Sequence, residues 1–198
     1  MAEPARAAAF TRLAAHAGPD PLAIAECRAR ALITIGGPVA NPGFVSAVRA
    51  AVGAELPREP GGVVAAGHGW TIWLGPAEWL YVAPGRDGWT LERDLVRALG
   101  PVGGQAVDVG HGRAVLRLAG APVRAVLAKG CPVDVSSGAL PAGRAVQSLF
   151  GKIGVLLHAR ERDAVELYVA RSYADALADA VLAAAREFGC VIAPAALD

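Results

Sequence analysis

Closely spaced cysteines are absent from this sequence. Cys27, Cys131 and Cys190 lie far apart, so no C-x-x-C motif for a metal or for thiol–disulfide exchange occurs. The histidines are equally scattered, and no H-E-x-x-H or comparable set of zinc ligands is found. Cysteines in odd number, without an export signal, favour free thiols. We therefore expect no intrinsic zinc site and no disulfide framework.

Nucleotide-binding glycine motifs are also missing, although the chain has 24 glycines. Neither Gly36-Gly37-Pro38 nor Gly103-Gly104-Gln105 fits G-x-G-x-x-G. Gly151-Lys152-Ile153 lacks the upstream glycine and the hydroxyl residue of a phosphate-binding loop. The sequence therefore predicts that this chain binds no cofactor of its own.

Long apolar runs and a charge excess of either sign are lacking as well. Arg, Asp or Glu interrupts every run before the ~18 apolar residues that a membrane-spanning helix needs. The first residues carry Glu3, Arg6 and Arg12 but no apolar core of a signal peptide, which predicts a cytoplasmic protein. A formal net charge of +1 gives no overall attraction to nucleic acid or to an anionic membrane.

Apolar residues, by contrast, are in surplus: 54% of the chain is hydrophobic and its mean hydropathy is +0.40. Such a chain is expected to leave an exposed apolar patch above the ~300–600 Å² typical of a monomer. The Trp-rich segment 70–82 and the Pro- and Gly-containing segment 131–143 are the expected places for it. We therefore expect the isolated chain to self-associate.

An internal duplication organises the sequence. The run Arg30-Ala-Leu-Ile-Thr-Ile-Gly resembles Arg113-Ala-Val-Leu-Arg-Leu-Ala-Gly, and Leu80-Tyr-Val recurs as Leu167-Tyr-Val. Each run predicts a strand, and a helix follows it. The resulting order β-α-β-β-α-β, twice, predicts an α+β fold of two ferredoxin-like halves with antiparallel sheets. The expected division is an N-terminal arm (1–28), a first half (29–110) and a second half (111–198), forming one two-lobed unit.

The helix starts follow from capping residues. Asn41 with Pro42 predicts the first start, Asp87 the second and Pro122 the third. Ser172 with Asp175 predicts a capping box for the fourth helix, with Tyr173 on its apolar side.

The densest polar stretch contains Asp108, His111 and Arg113. One interpretation is a carboxylate–imidazole pair for acid–base or ligand-orienting work, with Gly110 and Gly112 allowing close backbone approach. The other is a sharp turn between the halves, in which Asp108 accepts hydrogen bonds from the backbone or from Arg113. No nucleophile or metal-ligand set accompanies the pair, so we favour the turn.

Two further groups have a structural and a functional interpretation. Cys131, before Pro132 at a predicted helix end, is either a reactive thiol or a buried inert one, and the helix dipole favours the second. Trp70, Trp73 and Trp79 are either core residues or an interface, because alternation along a strand places Trp70 and Trp73 on opposite faces.

Several motifs together resemble the gamma-subunit family of heterotetrameric sarcosine oxidase. They are Trp73-Leu-Gly-Pro-Ala-Glu-Trp-Leu, Asp108-Val-Gly-His-Gly-Arg-Ala-Val-Leu-Arg-Leu-Ala-Gly, Val126-Leu-Ala-Lys-Gly-Cys-Pro-Val-Asp, Leu149-Phe-Gly-Lys-Ile-Gly-Val-Leu-Leu and Glu166-Leu-Tyr-Val-Ala-Arg-Ser-Tyr. The resemblance spans residues 28–190 and departs from the family pattern at Gly110, where a serine is expected.

This resemblance implies a non-catalytic accessory subunit with a fold similar to the folate-binding domain of glycine-cleavage aminomethyltransferases. It implies alpha, beta and delta subunits as partners, and FAD, FMN, NAD, tetrahydrofolate and zinc carried by those subunits. The implied reaction of the complex is oxidative demethylation of sarcosine to glycine, with the methyl carbon passed to tetrahydrofolate. The alternative is a stand-alone domain that binds folate or another small molecule.

Overall fold

The computed structural model describes residues 7–28 and 30–194. Within these ranges the chain forms eleven strands and four α-helices: β1 (Leu22–Glu26), β2 (Arg30–Gly36), α1 (Pro42–Val52), β3 (Val63–Ala66), β4 (Gly69–Gly75), β5 (Glu78–Pro84), α2 (Gly88–Leu99), β6 (Gln105–Asp108), β7 (Arg113–Ala119), α3 (Val123–Ala128), β8 (Arg144–Phe150), β9 (Ile153–Glu161), β10 (Ala164–Ala170), α4 (Ala174–Ala185) and β11 (Cys190–Ile192). The described residues divide into two compact units, one of residues 30–111 and one of residues 7–28 with 112–194.

The first unit is an antiparallel sheet with the order β3-β4-β5-β2-β6. Both of its helices bury apolar side chains in one core with the sheet: Phe44, Val48 and Val52 from α1, and Leu91, Leu95 and Leu99 from α2. The predicted β-α-β-β-α-β order is present, and the short edge strand β3 is added to it. The α+β class with antiparallel sheets is therefore confirmed.

The first two helices begin at their predicted capping residues. The Asn41 side chain accepts a hydrogen bond from the amide of Gly43 at 2.9 Å, and Asp87 accepts one from the amide of Thr90 at 2.8 Å. Gly53 ends α1 in the left-handed conformation with φ 76°, which costs a glycine little. These starts are set by local sequence, because each cap satisfies amides within its own first turn.

The second unit is a six-stranded sheet with the order β11-β1-β7-β10-β9-β8. Strand β1 lies inside this sheet, antiparallel to β7 and parallel to β11. Leu22 and Ile24 of β1 are fully buried in the second core, which the helices α3 and α4 complete. The prediction of a separate N-terminal arm (1–28) is therefore wrong for the described part, residues 7–28, which belongs to the second unit. Its residues 1–6 lie outside the described residues.

The start of α4 also differs from the expectation. Asp175 does not form the predicted capping box, because its carboxylate accepts hydrogen bonds from the amide and hydroxyl of Thr11, both at 2.7 Å. Tyr173, expected on the apolar side, is 56% exposed and precedes α4 in a short 3-10 turn. Long-range contacts with the N-terminal segment thus replace the local cap.

Candidate functional site

The polar turn between the two repeats is built around the side chain of Asp108. Its Oδ1 accepts a hydrogen bond from the amide of Gly110 at 2.8 Å, which is the geometry of an Asx turn. The Oδ2 atom lies against Gly88, where a Cβ would come within 2.1 Å of it. His111 is exposed, and Arg113 is half-buried at the start of β7. The turn therefore uses Asp108 for its own backbone, which favours the structural interpretation.

Cys131 lies in an apolar environment of the second core, while the adjacent Pro132 is exposed. Burial raises the pKa of the Cys131 thiol to about 11, so the thiol is neutral near pH 7. Gly130 packs directly on the ring of Phe150, where a Cβ would lie 2.7 Å from ring carbons. This environment favours an inert cysteine, with burial as the cause of the pKa shift.

The tryptophans of the first hairpin belong mainly to the interior. Trp70 and Trp79 are buried, and Trp73 is half-buried against the first core. The indole nitrogen of Trp79 donates to the carbonyl of Pro57 at 2.7 Å. The exposed tryptophan is Trp89, on α2, with 69% of its surface accessible. The segments 70–82 and 131–143, where the apolar patch was predicted, contain no large exposed hydrophobic side chain, and the exposed Trp lies on the neighbouring helix instead.

A buried polar cluster in the second unit was not found from the sequence. Glu166 on β10 is fully buried, and its Oε2 accepts a hydrogen bond from the hydroxyl of Tyr168 at 2.7 Å. Arg160 Nη1 donates to the other carboxylate oxygen at 3.2 Å. His158 faces Glu166 across the β9–β10 ladder, with Nδ1 3.9 Å from Oε2. The Tyr168 and Arg160 donors hold a buried carboxylate whose isolation would cost several kcal/mol.

The signal for this cluster was the spacing of two residues within each strand. His158 and Arg160 alternate with apolar residues on β9, and Glu166 and Tyr168 alternate on β10, so each pair lies on one face of the sheet. Predicting the cluster also requires the β9–β10 register, which places His158 opposite Glu166. Chemically, the arrangement holds the Glu166 carboxylate in place: each of its oxygens accepts a hydrogen bond, and the residue is inaccessible to a substrate in solution.

A second polar contact joins the N-terminal segment to the last strand. The Sγ of Cys190 lies 3.0 Å from His16 Nδ1 and 3.2 Å from the carbonyl oxygen of Ala14. Two backbone hydrogen bonds, of 3.0 and 2.9 Å, connect the same His16 and Cys190. Cys190 is 1% exposed, so the pair serves to attach the segment to β11.

No group of three or more His, Cys, Asp or Glu side chains in residues 7–28 and 30–194 is arranged to hold a metal ion. No helix in this part of the chain is long and apolar enough to cross a membrane.

Sequence comparison relates the chain to proteins of one family. The model of the "Sarcosine oxidase, gamma subunit family" matches residues 36–187. The sarcosine oxidase subunit gamma of Arthrobacter sp is 41% identical over 113 residues, which cover 57% of this chain and 55% of that protein. The corresponding subunit of Corynebacterium sp. (strain P-1) is 38% identical over 120 residues, 60% of this chain and 58% of that protein. The matches thus span little more than half the length of these relatives.

Structural comparison extends the similarity beyond the sequence matches. A chain of the heterotetrameric sarcosine oxidase from Corynebacterium sp. U-96, in complex with pyrrole 2-carboxylate, superposes with a TM-score of 0.79 at 29% identity over 88% of both chains. The glycine cleavage system aminomethyltransferase T from Bartonella henselae shares the fold at 16% identity and a TM-score of 0.66, over 88% of this chain and 48% of that one. With the family model matching most of its length, the chain belongs to the sarcosine oxidase gamma subunit family.

Proposed function

We propose that this chain is the gamma subunit of a heterotetrameric sarcosine oxidase, the complex that demethylates sarcosine oxidatively to glycine. The observation that carries the proposal is the superposition on a chain of such an enzyme over 88% of both chains. The aminomethyltransferase match, by contrast, covers 48% of that chain. Its proposed partners are the alpha, beta and delta subunits.

Within that complex we assign the chain a non-catalytic role in assembly. Three of its ionisable groups support this role, because each is engaged in the fold: Asp108 in an Asx turn, Glu166 in a buried ion cluster and Cys131 as a neutral, buried thiol. FAD, FMN, NAD, tetrahydrofolate and zinc are proposed to be bound by the other subunits.

Co-expression tests the proposal. The tagged chain is produced with the alpha, beta and delta subunits and purified through its tag, and sarcosine-dependent peroxide release is measured. We expect a stable complex that is active, and a chain that alone has no flavin absorption band and releases no peroxide. An alpha–beta–delta assembly that is equally stable and active without this chain would contradict the assembly role. Peroxide release by the chain alone would contradict the non-catalytic assignment.

A second candidate function is a domain that binds folate or a similar small molecule. The fold of two repeated halves, which is shared with the glycine cleavage system aminomethyltransferase T, favours it, together with the polar turn from Asp108 to Arg113. Titration calorimetry with tetrahydrofolate on the isolated chain separates the two candidates. Micromolar binding would favour this function, and the absence of heat would favour the assembly subunit.

A further inference from the structure

The second helices of the two repeats, α2 and α4, are equivalent position by position. Their buried faces have the same spacing: Gly88, Leu91, Leu95 and Leu99 on α2, and Ala174, Leu177, Val181 and Ala185 on α4. Aligning these faces also matches the outward residues. Trp89, Arg93, Val96 and Arg97 of α2, hereafter the α2 stripe, correspond to Asp175, Asp179, Leu182 and Ala183 of α4.

On α4, the N-terminal segment of the same chain covers this stripe. Thr11 donates two hydrogen bonds of 2.7 Å to the carboxylate of Asp175, and Arg12 Nη1 lies 2.6 Å from Asp179 Oδ2. Leu13 and Leu182 both pack against the second core. The next three residues of the segment, 14–16, line an open hollow of about 400 Å³ together with Asp179, Leu182, Ala183 and Arg186.

The segment also reaches the outer edge of the second sheet. His16 pairs with Cys190 of β11 through the two backbone hydrogen bonds described above. One extended stretch of six residues, 11–16, thus covers the helix and the adjoining strand edge. This stretch brings the Arg12 guanidinium and the hydroxyl and amide donors of Thr11 to the acidic surface of α4.

On α2, no described residue gives equivalent cover. Trp89 is 69% exposed and Val96 47% exposed. Arg93 pairs only with the neighbouring Asp94, at 3.2 Å, and Arg97 has no ion-pair partner among residues 7–28 and 30–194. Among the described residues, strand β6, which adjoins α2 in the first unit, pairs on one side only, with β2, and it exposes Val107. The described part of the chain therefore leaves both the α2 stripe and the edge of β6 uncovered.

The charge of the two stripes is reversed: Asp175 and Asp179 on α4, against Arg93 and Arg97 on α2. We propose that the α2 stripe and the edge of β6 bind an extended acidic segment of a partner polypeptide, in the way that residues 11–16 bind α4. Carboxylates of that segment meet Arg93 and Arg97, an apolar side chain covers Val96 and Trp89, and its backbone pairs with β6. Exposed tryptophan and arginine are the residue types enriched at binding hot spots, and strand addition to a free edge is a recurrent mode of peptide recognition.

The test rests on the proposed function, because the partner polypeptides used are the other subunits of the oxidase. The tagged chain is co-expressed with them in three forms: wild type, Trp89→Ala, and the double variant Arg93→Glu/Arg97→Glu. Matched controls at exposed positions of the second unit are Tyr173→Ala and the double variant Arg162→Glu/Lys152→Glu. Thermal melting of each isolated chain verifies folding, which exposed substitutions should leave unchanged.

We expect the wild type and both controls to retain the other subunits equally. The two α2-stripe variants should lose about tenfold or more in affinity, the effect of truncating a central interface residue. Assembly of those variants at the wild-type level would overturn the surface assignment and leave the proposed function standing. Failure of the wild type itself to assemble would overturn both.

A photoreactive phenylalanine analogue in place of Trp89 identifies the occupant. In the assembled complex, cross-links to an Asp- and Glu-rich segment of another subunit support the proposal. Cross-links within this chain alone overturn it. Cross-links to a second copy, together with a concentration-dependent dimer that Trp89→Ala abolishes, also overturn it, because the surface would then serve self-association.

Discussion

The hydroxyl of Tyr168 lies 2.7 Å from the carboxylate of Glu166, its neighbour on the same face of β10. Both side chains are essentially inaccessible to solvent, with 1% and 0% of their surfaces exposed. A hydrogen bond to a buried charge is stronger than one between neutral groups, and loss of the donor leaves the carboxylate less compensated. The hydrogen bond from Tyr168 to Glu166 therefore stabilises the second unit.

Tyr168→Phe should lower the free energy of unfolding by about 1.5–3 kcal/mol, the usual range for a hydrogen bond to a charged group. Urea unfolding followed by tryptophan fluorescence measures the difference. Tyr173→Phe is the control, because Tyr173 is 56% exposed and should change stability little. Equal stability of the two variants would show that the Glu166 carboxylate does not depend on this donor.

Trp79→Phe should be costly for a different reason. Trp79 is 1% exposed, packs beside Phe44 with ring centroids 6.2 Å apart, and donates its indole N–H to Pro57 O at 2.7 Å. The smaller ring leaves a void and an unpaired carbonyl, so the unfolding free energy should fall by about 2–4 kcal/mol. Trp89→Phe, at an exposed position, is the control in the isolated chain. Similar melting temperatures for both variants would contradict a core role for Trp79.

The sequence was sufficient where structure is decided locally. The caps at Asn41 and Asp87 and the spacing of Leu91, Leu95 and Leu99 predicted two helices, because those contacts lie within one or two turns. Strand β1 was missed because its place between β7 and β11 depends on partners about a hundred or more residues away. The capping box of α4 failed for the same reason, since Thr11 takes the carboxylate of Asp175.

In the candidate site, too, the features set by local sequence were predictable and those set by distant strand partners were not. Alternation indicates that Glu166 and Tyr168 share a face, but only the strand register places His158 opposite Glu166. The turn at Asp108 was recognisable because an Asx turn is closed by an amide two residues on. Exposure of Trp89 was not deducible from local sequence, because a first-turn residue is exposed only where nothing else packs on the helix.

Arg124→Lys should loosen the irregular segment 131–143. The Arg124 guanidinium donates to the carbonyls of Val135 at 3.0 Å, Leu140 at 3.1 Å and Arg162 at 2.9 and 3.0 Å. One ammonium cannot reach these separate carbonyls in the same geometry as the planar fork of Arg. We expect the free energy of unfolding to fall by about 1–3 kcal/mol and proteolysis within 131–143 to become faster.

Limited proteolysis with mass spectrometry locates the cleavage sites of this variant. Arg162→Lys is the control, because Arg162 is exposed and its part in the network is its backbone carbonyl. Cleavage that increases equally throughout the second unit would argue against a local role for Arg124.

The pKa of Cys131, raised to about 11 by burial from an ordinary 9.0, predicts a pH dependence of stability. Between these values the unfolded thiol releases its proton while the folded thiol keeps it, so the unfolded state gains relative stability as pH rises. The contribution of the protonated Cys131 thiol to the free energy of unfolding is fully present below pH 9 and is lost as pH rises through the folded pKa of about 11. Its size is on the order of 2 kcal/mol.

Other groups titrate in the same range, so the measurement must be a difference between variants. The unfolding free energies of wild type and Cys131→Ala are compared in urea at pH values from 8 to ~11. Cys131→Ala removes the titrating group and leaves a small void whose cost does not change with pH. The excess of the wild-type unfolding free energy over that of Cys131→Ala should therefore shrink by about 2 kcal/mol over this range.

A labelling experiment tests the same thiol. Iodoacetamide at pH 8 should label Cys131 only as fast as the chain opens, because a neutral buried thiol is a poor nucleophile. A pH-independent difference, or labelling at the rate of a free thiol in the folded chain, would show that Cys131 is accessible and reactive.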